Sequence, residues 1–370
     1  MVDLKKNVYK VVDTGLRGKG LCTIKGGYLL IYRRGQYYII SQDTHEIKNK
    51  FHLPCCLLKR VLVLSRLFER LLHAEPRWAI QIDKVGVLIL HEGKVFYVNI
   101  ETGTWSIENI SVRGKPLFIS EIHDVGGFQN TYMLGDYGKN TERNEVHIYQ
   151  RNEGIWKIAY TFPKEKVRHI HNIIPDKAHK CLIILTGDED NESGIWIAED
   201  NFKKVYPLKI GKQMYRACQA IPSDDGIIYF TDAPSEANSI NYIDLKGRVS
   251  EISKLRGSCI YGVIHDNEGF FSTTCEPDAK APNVISYWLT RKIGKGIVNY
   301  NIDIIAMKNG KNTVISKFES DRLPLRLFQY ASATFTNGND NNQYFTPVCV
   351  KKYDMHIFKI ERSDQSNEFI

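Results

Sequence analysis

The chain has 370 residues, 43% apolar and 25% charged, with 20 tyrosines and 16 phenylalanines, which is ordinary for a soluble globular protein and supplies a large core. A formal charge of +8 with no basic block longer than pairs such as Lys5-Lys6 and Arg33-Arg34 argues against nucleic acid as a partner, and a mildly basic surface suits an acidic glycan instead. The eight cysteines form no CxxC and no even framework, so they are expected to be buried thiols of a reducing compartment.

In chain order, the opening MVDLKKNVYKVVD lacks the apolar core of a leader peptide, so a cytoplasmic location is expected, with export by a leaderless route left open. GGYLLIYRRGQYYIIS then reads as two strands around a Gly turn. CLLKRVLVLSRLFERLLHAEP, residues 56 to 76, has apolar residues at helical spacing and predicts one inserted amphipathic helix near 57–73. Its charges exclude a membrane span. Packing of its apolar face on the protein's own body is expected, with membrane association the lesser reading.

Past this helix the chain returns to strands. VGVLILHEGKVFYVNIETGTWSIEN and EVHIYQRNEGIWKIAYTF are further strand-turn-strand units. Gly103, Gly154, Asn201 and Gly247 mark equivalent hairpins at intervals of 51, 47 and 46 residues, the period of a four-stranded propeller blade. The full set of groups is 20–51, 78–109, 116–161, 168–208, 215–253, 259–318 and 328–360. The last supplies three strands, and Asn7 to Asp13 belongs to no other group. The expectation is an all-β, seven-bladed propeller forming one domain over 1–370, with the N-terminal strand closing the last blade; six blades is the alternative.

With strands A to D numbered outward from the channel, B-to-C loops and D-to-A entries fall on one face. The loops GDYGKNTER, TGDEDNES, TDAPSEANS and STTCEPD, and the entries RHIH, YR and Tyr261, therefore aim Asp136, Tyr137, Arg143, Asp188, Asp190, Asp232 and Glu276 toward one channel mouth. Arg168, His169, His171, Tyr215 and Arg216 join them. Arg143, Arg168 and Arg216 are forks suited to a carboxylate. His169 and His171 alternate with Ile170, which puts both imidazoles on one face of a strand. They could ligate a metal, but no third ligand stands at a diagnostic spacing, so structural histidines or a base are expected, with no metal and no cofactor.

The turns NIETGTW, 99–105, and QRNEGIW, 150–156, resemble reduced Asp-box turns of sialidase-like and BNR-repeat propellers. The stretch 135–277, with GDYGKNTER, RHIH, TGDEDNESGIW, YRA, TDAP and STTCEP in that order, resembles a group of bacterial BNR-like propellers described as sialidase-like or glycosyl-hydrolase-like. The resemblance implies that Arg143, Arg168 and Arg216 hold a sugar carboxylate. It further implies that Tyr137, Tyr215 or Tyr261 pairs with Glu276 as nucleophile, and that Asp136 or Asp188 protonates the leaving oxygen. Asp232 and Tyr261 would help bind the substrate.

Three functions follow from these residues. The first is a glycosidase acting on an anionic bacterial polysaccharide or oligosaccharide. The second is a polysaccharide lyase with His169 or His171 as base and a tyrosine as acid. The third is a non-catalytic glycan-binding or protein-interaction scaffold, because a fold does not dictate a function.

Overall fold

The structure, a computed structural model, describes residues 9–265, 268–278, 282–338 and 342–362. They form a seven-bladed β-propeller of four-stranded antiparallel sheets. Blades 1 to 6 span 19–51, 78–107, 120–162, 169–210, 217–255 and 259–319. Blade 7 takes strands Ser332–Phe335, Gln343–Val348 and His356–Arg362, and its outer strand is Tyr9–Arg17. The N-terminal strand runs antiparallel to the last one, with Tyr9 opposite Arg362 and Asp13 opposite Phe358. The ring thus closes with the two ends of the chain laced into one sheet, and the six-bladed alternative falls. Asn7 and Val8, at the start of the expected closing strand, lie outside the described residues.

The strand chemistry follows from burial. The two strands of each blade nearest the channel are sandwiched between neighbouring blades, so the first strand Lys19–Ile24 and the second strands Gly86–His91, Cys181–Gly187 and Glu268–Thr273 are buried along their whole length. Outer strands keep one wet face: Lys204–Ile210 has no buried residue. The apolar layers lie between sheets. One joins Leu30 and Ile39 of blade 1 to Val87, Ile89 and Phe96 of blade 2. Another joins Ile148 and Phe162 of blade 3 to Ile184 and Trp196 of blade 4. The four hairpin markers all sit at C-to-D turns with positive φ: Gly103 at 72°, Gly154 at 81°, Asn201 at 52° and Gly247 at 77°. The turn demands a left-handed residue, which is why glycine or asparagine recurs at that spacing.

The segment after blade 1 departs from expectation. It forms two short helices, α1 (Leu57–Leu62) and α2 (Arg66–Leu71), rather than one. Its faces are also reversed. Leu57, Leu58, Val61, Leu64, Leu67, Phe68 and Leu72 are between 39 and 77% exposed, whereas Glu69 and Arg70 are buried. The cause is the surface beneath, which is ionic. Arg66 donates to Glu69 at 3.0 Å and to Asp354 at 2.8 Å and contacts Glu75; Glu75 meets Lys19 at 3.6 Å. Arg70 pairs with Asp321 and donates to the Phe328 carbonyl at 2.6 Å. No helix of the described residues is long and apolar enough to cross a membrane. Six cysteines are buried as expected; Cys55 and Cys56, just before α1, are exposed, and all eight are free thiols.

Candidate functional site

D-to-A entries of all seven blades and the B-to-C loops of blades 2, 4, 5 and 6 surround one cavity of about 990 Å³ at a single end of the channel. The face assignment made from topology therefore holds for the wall. Arg168, Asp188, Asp190, Arg216, Tyr261 and Glu276 line it. So do residues that no sequence motif singled out: Lys19, Glu75, Arg77, Lys115, Tyr287, Trp288, Arg326 and Tyr330. Arg77 does carry a signal. It directly precedes an inner strand, as Arg168 and Arg216 do, so the three arginines hold the same place in blades 2, 4 and 5. Tyr287 and Trp288 lie on a third short helix, α3 (Val284–Leu289), inside the long B-to-C loop of blade 6.

Beneath the wall the channel is filled. Leu117, Phe118, Cys218 and Ile260 form an apolar plug against which Tyr137, Tyr261 and Tyr330 pack. His169, His171 and Asp232 are buried at this level.

Three of the expected site residues serve the scaffold instead of the mouth. Asp136 accepts from the main-chain N–H of Arg113 at 2.6 Å and of His147 at 2.9 Å, which ties a loop to a strand. Arg143 turns from the cavity and grips Glu192 with both arms, at 2.5 and 2.9 Å. Tyr215 is buried, with the Lys209 ammonium 5.9 Å from its ring centre. The expected three-arginine cluster is thus reduced to Arg168 and Arg216.

These two converge on Asp188. Arg216 Nη2 lies 3.0 Å from Oδ1 and Arg168 Nη1 lies 3.5 Å from Oδ2. Arg216 Nη2 also reaches Asp232 Oδ2 at 3.3 Å, so one guanidinium links two carboxyls. Burial acts to push the Asp188 carboxyl up, but the two imidazoles and Arg216 outweigh it and hold the group well below the usual carboxylate range. Burial pushes Asp232 well above that range; Arg216 opposes the rise without prevailing, and Glu276 adds to it. Asp188 is the carboxyl held low and Asp232 the one pushed high.

The inner strand of blade 4 carries a β-bulge between Ile170 and Asn172, and blades 1, 5 and 6 bulge at the equivalent place. The bulge re-aims His171. The two imidazoles then meet edge on, Nε2 to Nε2 at 3.1 Å, instead of standing side by side along a regular strand. His169 donates from Nδ1 to the Gly138 carbonyl at 3.0 Å, and His171 from Nδ1 to the Ala217 carbonyl at 2.8 Å. Asp188 Oδ1 is 3.4 Å from each Nε2. This is the third group that sequence spacing did not offer: it arrives from the next loop of the same blade.

Of the tyrosines, Tyr330 is the one that meets Glu276, donating to Oε1 at 3.4 Å. Burial, and then Glu276, push its phenol well above the ordinary value. Tyr137 packs instead on His169, ring centres 4.3 Å apart.

No family model matches the chain, and no curated protein matches it. Among solved structures it is similar to the CNH domain of AfRom2, at 7% identity and a TM-score of 0.53, over 96% of this chain and 99% of that one. It is also similar to the WD40 domain of Pan2 from Neurospora crassa, at 9% identity and a TM-score of 0.52, over 96% of each chain. At such identities the likeness is one of fold.

Proposed function

We propose that the cavity is the cleft of a carbohydrate-active enzyme, a glycosidase that takes an anionic polysaccharide or oligosaccharide. The observation that carries this reading is a set of buried polar atoms on the cavity wall with no hydrogen-bond partner among the described residues: Arg168 Nε, Arg216 Nε, Arg326 Nε and Glu276 Oε2. Leaving such groups unsatisfied costs about 1–3 kcal/mol each, which a polar ligand would recover.

The ligand's charge is read from the cations. Arg77, Lys115 and Arg326 line the cavity and have no carboxylate partner among the described residues. They are free to hold an acidic sugar. Tyr287 and Trp288 offer rings on which a sugar can stack. Glu276 and Asp188 are the two carboxyls that glycoside cleavage needs. Glu276 takes the Tyr330 proton as that phenol bonds the anomeric carbon and the glycosidic C–O bond breaks, and a water in the open cavity protonates the departing oxygen; this is the Tyr–Glu arrangement expected of a sialidase-like site, realised at a different tyrosine. Asp188, held low by the two imidazoles and Arg216, stabilises the positive charge that develops on the sugar ring.

A lyase is the second reading. It is favoured by the paired imidazoles, which meet through Nε2 beside the Tyr137 ring.

The test incubates the protein with sialylated oligosaccharides and uronate polymers and follows new reducing ends and ultraviolet absorbance. New reducing ends without absorbance, abolished in Glu276→Gln while binding persists, are expected. Absorbance would move the assignment to the lyase. Neither binding nor cleavage of any acidic glycan would remove the reading.

A further inference from the structure

Three ligand-type atoms, His169 Nε2, His171 Nε2 and Asp188 Oδ1, converge below the cavity. His169 and His171 each spend the Nδ1 proton on a carbonyl, which can only accept. Each ring therefore turns its Nε2 toward the other ring and toward the Asp188 carboxyl. The three edges of this triangle are 3.1, 3.4 and 3.4 Å. One added proton would satisfy a single edge and leave the other acceptors facing each other. A cation at the centre satisfies all three. Ligand bonds of about 2.0–2.2 Å to a tetrahedral ion give ligand-to-ligand edges of about 3.3–3.5 Å, which the triangle matches closely.

We propose that His169, His171 and Asp188 form a binding site for a divalent transition-metal ion of the zinc class. Two imidazoles and one carboxylate form a donor set with positions left for water or substrate. The outer contacts have the required form. Both rings are oriented by Nδ1–H donation to backbone, and the carboxylate is held by Arg216 at 3.0 Å and Arg168 at 3.5 Å. The two guanidinium charges oppose a cation; Glu189, 3.7 Å from Arg168, offsets one of them. Gly187 is part of the design. A Cβ there would stand 2.6 Å from His171 Cε1 and 3.1 Å from its Nε2, so only glycine lets the imidazole reach this position beside Asp188. Asp188 is also the ligand that lines the cavity, which sets the ion next to whatever the cavity holds. The inference stands apart from the identity of that ligand.

The experiment strips the full chain with a chelator, then titrates it with Zn²⁺ by calorimetry and with Co²⁺ by visible absorption. One ion per chain is expected, with the intense bands of a four- or five-coordinate Co²⁺ site. Asp188→Asn, which keeps the side chain's shape, is expected to weaken Zn²⁺ binding by about 100-fold or more while circular dichroism shows the native fold. His169→Gln is expected to do the same, and Cys218→Ser to change nothing. Absence of stoichiometric binding by the folded wild type overturns the proposal. So does unchanged affinity in Asp188→Asn. Loss of binding in Cys218→Ser alone overturns it too, because the ion would then belong to the looser group His171, Cys218 and Asp232.

Discussion

Arg143 and Glu192 join blades 3 and 4 through a two-armed ion pair, Nε to Oε2 at 2.5 Å and Nη2 to Oε1 at 2.9 Å. Glu192 is 3% exposed, so its carboxylate has been removed from water and depends on this arginine. Arg143→Ala would strand a buried charge and is expected to cost about 3 kcal/mol of unfolding free energy. Urea denaturation measures that loss. Affinity for acidic oligosaccharides should be unchanged, whereas Arg326→Ala should weaken it and leave the urea midpoint in place. The opposite pattern would return Arg143 to the binding site.

Tyr330 and Glu276 offer a sharper test of chemistry. Phe at position 330 keeps the ring on the apolar plug and deletes only the O–H that reaches Glu276. With Tyr330 as nucleophile, Tyr330→Phe should lower kcat by about 10²-fold or more while KM holds. Equal loss in kcat and binding would mean that the hydroxyl positions the substrate instead.

The ionic bed under α2 predicts a pH dependence. Burial, and then the charge of Glu75, push the Glu69 carboxyl up to about 7, against the pull of Arg66. Its unfolded value is near 4.5, so between these two pH values the folded chain binds more protons than the unfolded one. Stability must fall as pH rises through that window. Glu75 moves the other way: burial raises it, but Arg66 and Lys19 prevail and hold it at about 2, so its contribution is constant above about pH 5 and is lost only in acid. Glu69→Gln cannot ionise. It is expected to match the wild type at pH 4.5 and to exceed it at pH 8, by about 3 kcal/mol at most, since each tenfold difference in proton affinity between the folded and unfolded chains is worth about 1.4 kcal/mol. Urea midpoints across pH 4.5 to 8.5 give the answer, and parallel curves for the two proteins would refute it.

The reversed faces of the same helices can be checked directly. Leu58 is 69% and Leu67 47% exposed, so the double change Leu58→Gln, Leu67→Gln should alter stability by no more than about 0.5 kcal/mol and improve solubility. Arg70→Leu, an apparently apolar improvement of an amphipathic helix, should cost about 3 kcal/mol, because it strands Asp321 and the Phe328 carbonyl. Thermal melts of both variants decide between this orientation and the one the sequence suggested.

What the sequence determined by itself is the ring. Inner strands buried on both faces need unbroken apolar runs, outer strands need one polar face, and each C-to-D turn needs a left-handed residue. These are local demands, so Gly103, Gly154, Asn201 and Gly247 carry the period. The unpaired N-terminal strand and the three-stranded last group predict each other for the same reason. Alternation along the chain also assigns each loop to a face, which is why chain order alone is enough to place Arg168, Asp188, Arg216, Tyr261 and Glu276 on the cavity wall. Arg77 obeys the same rule.

Only the tertiary structure decided which side chains meet. The α1–α2 segment has apolar and charged residues at one helical period, and periodicity cannot say which stripe turns inward. The ionic bed of Glu75, Lys19 and Asp321 settled it. Arg143 sits on the predicted loop, but a left-handed backbone at φ 51° and a waiting carboxylate on the neighbouring blade carry it away from the mouth. Tyr330 lies in the loop before the inner strand of blade 7 and Asp188 among turn residues, and neither neighbourhood records Glu276 or the two imidazoles. A bulge of one residue brought His171 onto His169. Such contacts depend on loop conformation and on how adjacent blades abut, and both are fixed by packing between segments that the sequence holds far apart.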